Sequence, residues 1–105
     1  MVEVKRTLRK RRRFLVEFES ERTTHTGFTH DVSASGLFVC TIHLATPGTL
    51  LRMSLHPSKD RSIRLTGVVV RSVRGPAGLA TLMPSGFAVR FSNAPADYLE
   101  FLATL

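Results

Sequence analysis

A chain of 105 residues with 43% apolar and 22% charged side chains is expected to form one globular domain, too short for two cores and too apolar for disorder. No run approaches the roughly 18 apolar residues that a membrane span needs, and "FLVEFESE" interrupts any signal-peptide apolar stretch after the basic start. The net charge of +7 is concentrated, because residues 1–13 hold seven Lys or Arg against Glu3 while the rest of the chain carries eight against seven acids.

That division predicts a basic, flexible arm over residues 1–13, since blocks of like charge repel and serve as interaction segments, followed by a folded domain over 14–105. Phe14, Val16 and Phe18 alternate with Leu15, Glu17 and Glu19, the period of a half-buried strand. "ERTTHTG" reads as a turn and "TGFTHDV" as a second strand pairing back on the first. "DVSASG" is a polar turn into a third strand, "LFVCTI", and "ATPGT" is the next turn. In "LLRMSLH", Leu51, Met53 and Leu55 share one face. A long strand, "IRLTGVVVRSV", follows the loop "PSKDRS", with Gly67 marking a bulge or bend. "RGPAGLATLMPSG" reads as a loop with a short strand inside it, and "FAVRF" as the last main strand, with Phe87, Val89 and Phe91 inward.

The period then changes. Over 94–104 a helix is predicted, with Ser92 or Asn93 as its cap, Pro95 in its first turn and Asp97 at the positive end of its dipole. Tyr98, Phe101, Leu102 and Leu105 line one face of that helix. Six strands closed by one C-terminal helix predict an all-β fold, a small six-stranded antiparallel barrel.

The candidate chemistry lies in two stretches. Arg9 and Arg13 form the one R-x-x-x-R of the chain. A guanidinium fork pairs with phosphate oxygens or with guanine O6 and N7, and its flat face stacks on a base. Asp31, Ser33 and Gly36 form D-x-S-x-x-G, in which a carboxylate accepts from guanine N1–H and N2–H₂, a hydroxyl serves either way, and glycine permits close backbone approach. Each stretch also has a plainer reading: a solvated basic tail for the first, an Asx or Ser turn between strands for the second.

Together, in this order on a six-stranded barrel with a C-terminal helix, the two stretches resemble the PilZ domain, the bacterial receptor module for cyclic di-GMP. The resemblance extends through "PGTLLRMSL" and "GFAVRF". It implies that Arg9 and Arg13 hold guanine bases and phosphates, that Asp31 and Ser33 bind a base edge, and that Gly36 shapes the turn beneath them. Lys10 and Arg12 are further candidate contacts. Leu8, the residue before the first motif arginine, implies one nucleotide per domain, because an arginine there goes with an intercalated ligand pair. The seventeen residues between Arg13 and Asp31 are at or below that family's usual lower limit. The implied function is a cytoplasmic receptor or adaptor whose arm becomes ordered on binding the dianion and then signals to a protein partner in motility, exopolysaccharide or surface behaviour.

Two rival classes are a nucleic-acid-binding barrel, supported by Arg52, Arg64, Arg71, Arg74 and Arg90 on or near strands, and a PilZ-like interaction module without nucleotide. The near-neutral barrel and the expected inward placement of most phenylalanines argue against nucleic acid. No hydrolase, phosphate-loop or metalloprotease motif suggests an enzyme. His25, His30, His43 and His56 lack metal-site spacing, no cofactor is expected, and alternation turns His30 away from Asp31. Cys40, the single cysteine, excludes an internal disulfide, fits a reducing cytoplasm and is expected to be a buried small hydrophobe.

Overall fold

Alternation sets the first strand: in Leu15–Ser20 (β1), Val16 and Phe18 are buried while the residues between them face out. A computed structural model describes residues 8–75 and 85–105. β1 turns through Glu21 and Arg22, both with positive φ (53° and 67°), into Thr23–Ser33 (β2), so the turn is two residues long and most of the predicted turn is strand. Paired positive φ values give the turn whose twist matches a hairpin.

The remaining strands are Gly36–Cys40 (β3), Leu50–Ser58 (β4), Arg61–Val73 (β5) and Gly86–Arg90 (β6), followed by the helix Ala96–Ala103 (α1). All neighbours pair antiparallel, and the order β1-β2-β3-β6-β5-β4 closes on itself through β1 and β4. This is the expected six-stranded barrel with one C-terminal helix. Closure leaves no long unpaired edge among these strands. No helix among the described residues is long and apolar enough to cross a membrane.

Inward residues from every strand, including Val16, Phe18, Leu37, Leu55, Ile63 and Phe87, fill the barrel, and each large aliphatic side chain contributes about 1.5–3 kcal/mol by leaving water. Helix α1 covers one end. Tyr98 meets Phe91 edge-on at 5.3 Å between ring centroids, and Phe101 meets Phe14 in the same way at 5.3 Å.

Several boundaries differ from the predicted ones. The helix starts at Ala96 rather than 94, and its N-cap is Pro95 in extended conformation, without a side-chain cap from Ser92 or Asn93. The chain leaving β6 is still tied to the β2–β3 turn there, with the Phe91 amide donating to the Ser35 carbonyl at 2.9 Å. Gly67 stays in the β4–β5 ladder, and the register shift falls between Val69 and Arg71. Gly67 is needed for close packing instead, since a Cβ there would lie 2.7 Å from the Arg90 carbonyl oxygen. The short strand expected within 74–86 falls largely on residues outside those described.

Candidate functional site

The β2–β3 hairpin is the centre of the site. Ser33 pairs with Gly36 across a two-residue turn, Ala34–Ser35. A Cβ at Gly36 would lie 2.1 Å from the Val89 carbonyl oxygen, so only glycine lets β3 approach β6 this closely. The Ser33 hydroxyl donates to the Gly36 carbonyl at 3.1 Å and lies 3.5 Å from Arg9 Nη1. Beneath the turn, the buried Tyr98 hydroxyl donates to the Ser33 carbonyl at 2.7 Å, tying α1 to the loop.

Asp31 is brought outward by a register shift between Thr29 and Asp31. That bulge overturns the expectation that His30 faces away: His30 Nδ1 lies 3.2 Å from Asp31 Oδ2. An extra residue in one strand puts two consecutive side chains on the same face. Arg9 Nη1 stands 3.1 Å from Asp31 Oδ1, an ion-pair distance. The atoms are not aligned for a hydrogen bond, however, so Oδ1 is buried with no hydrogen-bond partner among the described residues.

The end of the basic arm runs along β2. Lys10 and Val32 exchange two backbone hydrogen bonds, at 2.8 and 2.9 Å. The Thr29 hydroxyl donates to the Arg12 carbonyl at 2.6 Å and accepts from the Phe14 amide at 2.8 Å. Residues 10–14 are thus tied to β2 by backbone hydrogen bonds and by the Thr29 hydroxyl. Lys10 Nζ donates to the Leu105 carbonyl at 3.1 Å, and Arg12 Nη1 to the Arg11 carbonyl at 2.9 Å. Leu8 is 74% exposed.

Arg13 is separate from the Asp31 pair. Its guanidinium carbon lies 3.8 Å above the Phe28 ring, a cation–π contact. Phe28 is 37% exposed, so not every phenylalanine is a core residue, and Phe38 is only half-buried. Cys40, opposite Phe28 in the ladder, reports both motifs at once. Burial pushes its thiol pKa up, the Asp31 carboxylate raises it further, and Arg13 partly opposes them. Cys40 is half-buried rather than sealed in the core.

The sequence profile of the PilZ domain matches residues 4–105. The chain is a PilZ domain. Two solved structures share its fold. The inhibitor of motility MotI (DgrA) of Bacillus subtilis superposes with a TM-score of 0.74 at 18% identity, covering 98% of this chain and 49% of that protein. The PilZ domain of YcgR from Escherichia coli, solved with c-di-GMP, gives 0.74 at 10% identity over 96% of this chain and 87% of that one. The chain thus spans about half of the Bacillus protein. No curated protein matches it by sequence.

In this PilZ domain Arg9 lies beside Asp31 and Ser33, with Gly36 across the turn, and Arg13 sits over Phe28, two ladder rows from Asp31. Sequence reasoning missed Tyr98, His30, Phe28 and Phe38. The helical stripe signalled that Tyr98 is buried, but nothing local signalled its partner 65 residues earlier. Among the described residues no group of three or more His, Cys, Asp or Glu forms a metal site. The exposed arginines cited for nucleic acid divide between faces, Arg52 and Arg64 lining a groove on β4 and β5 while Arg71 and Arg90 lie beyond Phe38 and Gly36.

Proposed function

We propose that this domain is a cytoplasmic receptor for cyclic di-GMP that acts by binding rather than catalysis. The observation that carries this reading is Asp31 Oδ1, a buried acceptor without a hydrogen-bond partner among the described residues, 3.1 Å from the Arg9 guanidinium. Side by side, a carboxylate and a guanidinium complement one guanine edge: the carboxylate accepts from N1–H and N2–H₂, and the guanidinium donates to O6. Adenine presents the opposite pattern on that edge and is rejected. Ser33 adds a hydroxyl at the same place, and Arg13, held over Phe28, supplies a flat cation for a base or a phosphate.

Arg9 must release or share Asp31 as the base enters. Residues 10–14 follow β2 already, so the ligand tightens a docked arm and alters the surface it presents. That altered surface signals to a protein partner, and the motility inhibitor among the structural neighbours supports a role in motility or surface behaviour. Leu8 before the motif supports one nucleotide per domain.

Calorimetric titration with cyclic di-GMP, against GTP and cyclic GMP, tests the reading. The wild type is expected to prefer cyclic di-GMP, and Arg9→Ala, Arg13→Ala and Asp31→Ala each to weaken it by about 10- to 100-fold, the worth of one charge-assisted contact. Equal affinity for all three nucleotides, or binding to mixed-sequence DNA with a steep salt dependence and none to cyclic di-GMP, would refute it.

A further inference from the structure

Two rows of the barrel wall run outward from the motif. Asp31 on β2 is opposite Phe38 on β3, Phe38 is opposite Ala88 on β6, and Ala88 is opposite Arg71 on β5. Two rows further along, past the inward Val32, Leu37 and Val89, Ser33 is opposite Gly36, and Gly36 is opposite Arg90. The first row has a register shift at each end, between Thr29 and Asp31 and between Val69 and Arg71.

The two shifts do the same thing. Along β5 the buried positions are Ile63, Leu65, Gly67 and Val69, so unbroken alternation would turn Arg71 into the core. The bulge turns both Val70, 44% exposed, and Arg71 outward. Along β2, Thr29 is buried and Asp31 would follow it inward without the bulge. Bulges concentrate beside binding sites because they re-aim side chains at the expense of ladder bonds.

Between the two ends the wall is low. Gly36, Gly86 and Ala88 have small side chains or none. A Cβ at Gly86 would lie 2.6 Å from Phe38 Cε1, so glycine there leaves room for the ring along the wall. Arg71 carries its guanidinium carbon 5.8 Å from the Phe38 ring centroid, and His30 meets the same ring edge-on at 6.2 Å. Three strand spacings separate Asp31 from Arg71, roughly 14 Å.

We propose that Arg71 and Arg90 form a second cationic jaw that holds the half of the dinucleotide left over by Arg9 and Asp31. The proposal rests on the cyclic di-GMP reading above. The ligand has two guanines and two phosphates, whereas the motif face offers one carboxylate and so reads one guanine edge. Arg71 and Arg90, across the small-residue floor, donate to the second phosphate or to the O6 and N7 acceptors of the second base. Phe38 is the apolar surface between the jaws.

The test is calorimetric titration of the full chain with cyclic di-GMP for wild type, Arg9→Ala, Arg71→Gln, Arg90→Gln and Arg71→Lys. Both glutamine variants are expected to melt with the wild type, since both side chains are exposed, and to bind about tenfold more weakly at unchanged stoichiometry. Arg71→Lys, which keeps the charge but not the fork, is expected to fall between wild type and Arg71→Gln. Wild-type binding that Arg9→Ala weakens while both glutamine variants stay within about twofold of wild type would overturn the second jaw and leave the receptor reading intact. A fall in the number of nucleotides bound at unchanged affinity would assign the pair to a second molecule and also overturn it. If the wild type itself does not bind cyclic di-GMP, the receptor reading falls, and this inference with it.

Discussion

Replacing Tyr98 with phenylalanine removes one oxygen and leaves the packing intact. The ring is fully buried against Phe91, and its hydroxyl donates to the Ser33 carbonyl at 2.7 Å. Loss of a neutral hydrogen bond with its buried acceptor left behind costs about 1–2 kcal/mol. For a domain of this size that lowers the melting temperature by roughly 5–10 °C. The same bond fixes the turn that presents Asp31 and Ser33, so nucleotide affinity is expected to fall about three- to tenfold at a temperature where the variant is folded. Phe91→Leu is the control: it loosens the same aromatic contact but leaves the hydroxyl in place, and is expected to lower stability without weakening the nucleotide. Circular dichroism melts and calorimetry on both variants decide the matter. Tyr98→Phe melting within a degree or two of wild type, or both variants losing affinity equally, would refute the view that the helix holds the site through this bond.

Tyr98, the single tyrosine in a chain without tryptophan, has its pKa pushed up to about 12, chiefly by burial; Arg9 opposes this, and the Asp31 carboxylate adds the smallest contribution, a further rise. A pKa raised on folding means stability that is complete below pH 10 and lost as pH climbs from there towards about 12, by roughly 2–3 kcal/mol, so an absorbance titration of tyrosinate should have its midpoint near 12 until unfolding intervenes. Gly36→Ala puts a Cβ 2.1 Å from the Val89 carbonyl oxygen and forces β3 off β6; denaturant melts should show a loss of more than about 3 kcal/mol, with cyclic di-GMP binding lost. Replacing Glu21-Arg22 by Asn-Gly, residues that tolerate the positive φ found at both positions, is expected to raise stability by about 1 kcal/mol in the same melts. Glu17→Gln removes the charge from a surface contact to His56 of 2.9 Å and should change stability by less than about 1 kcal/mol, which a melt within a few degrees of wild type would bear out.

Strand alternation, the helical stripe of Tyr98 and Phe101, and the residues of both motifs were legible without coordinates, because period and spacing are local properties of the chain. Those patterns determined the barrel class and the family resemblance. The site depended on what strands do to one another. Bulges at Thr29/Asp31 and Val69/Arg71 arise from pairing register with a neighbouring strand; the first turned His30 to the face of Asp31, against the expected alternation, and the second keeps Arg71 exposed, as expected. The backbone pairing of Lys10 with Val32 is likewise a contact that the charge pattern of the arm does not show. The reach of Tyr98 to Ser33 exists only once the folded barrel brings together segments 65 residues apart, while Arg13 sits over Phe28 because the β1–β2 hairpin sets Leu15 opposite Phe28, and no local pattern encodes a partner that chain folding supplies.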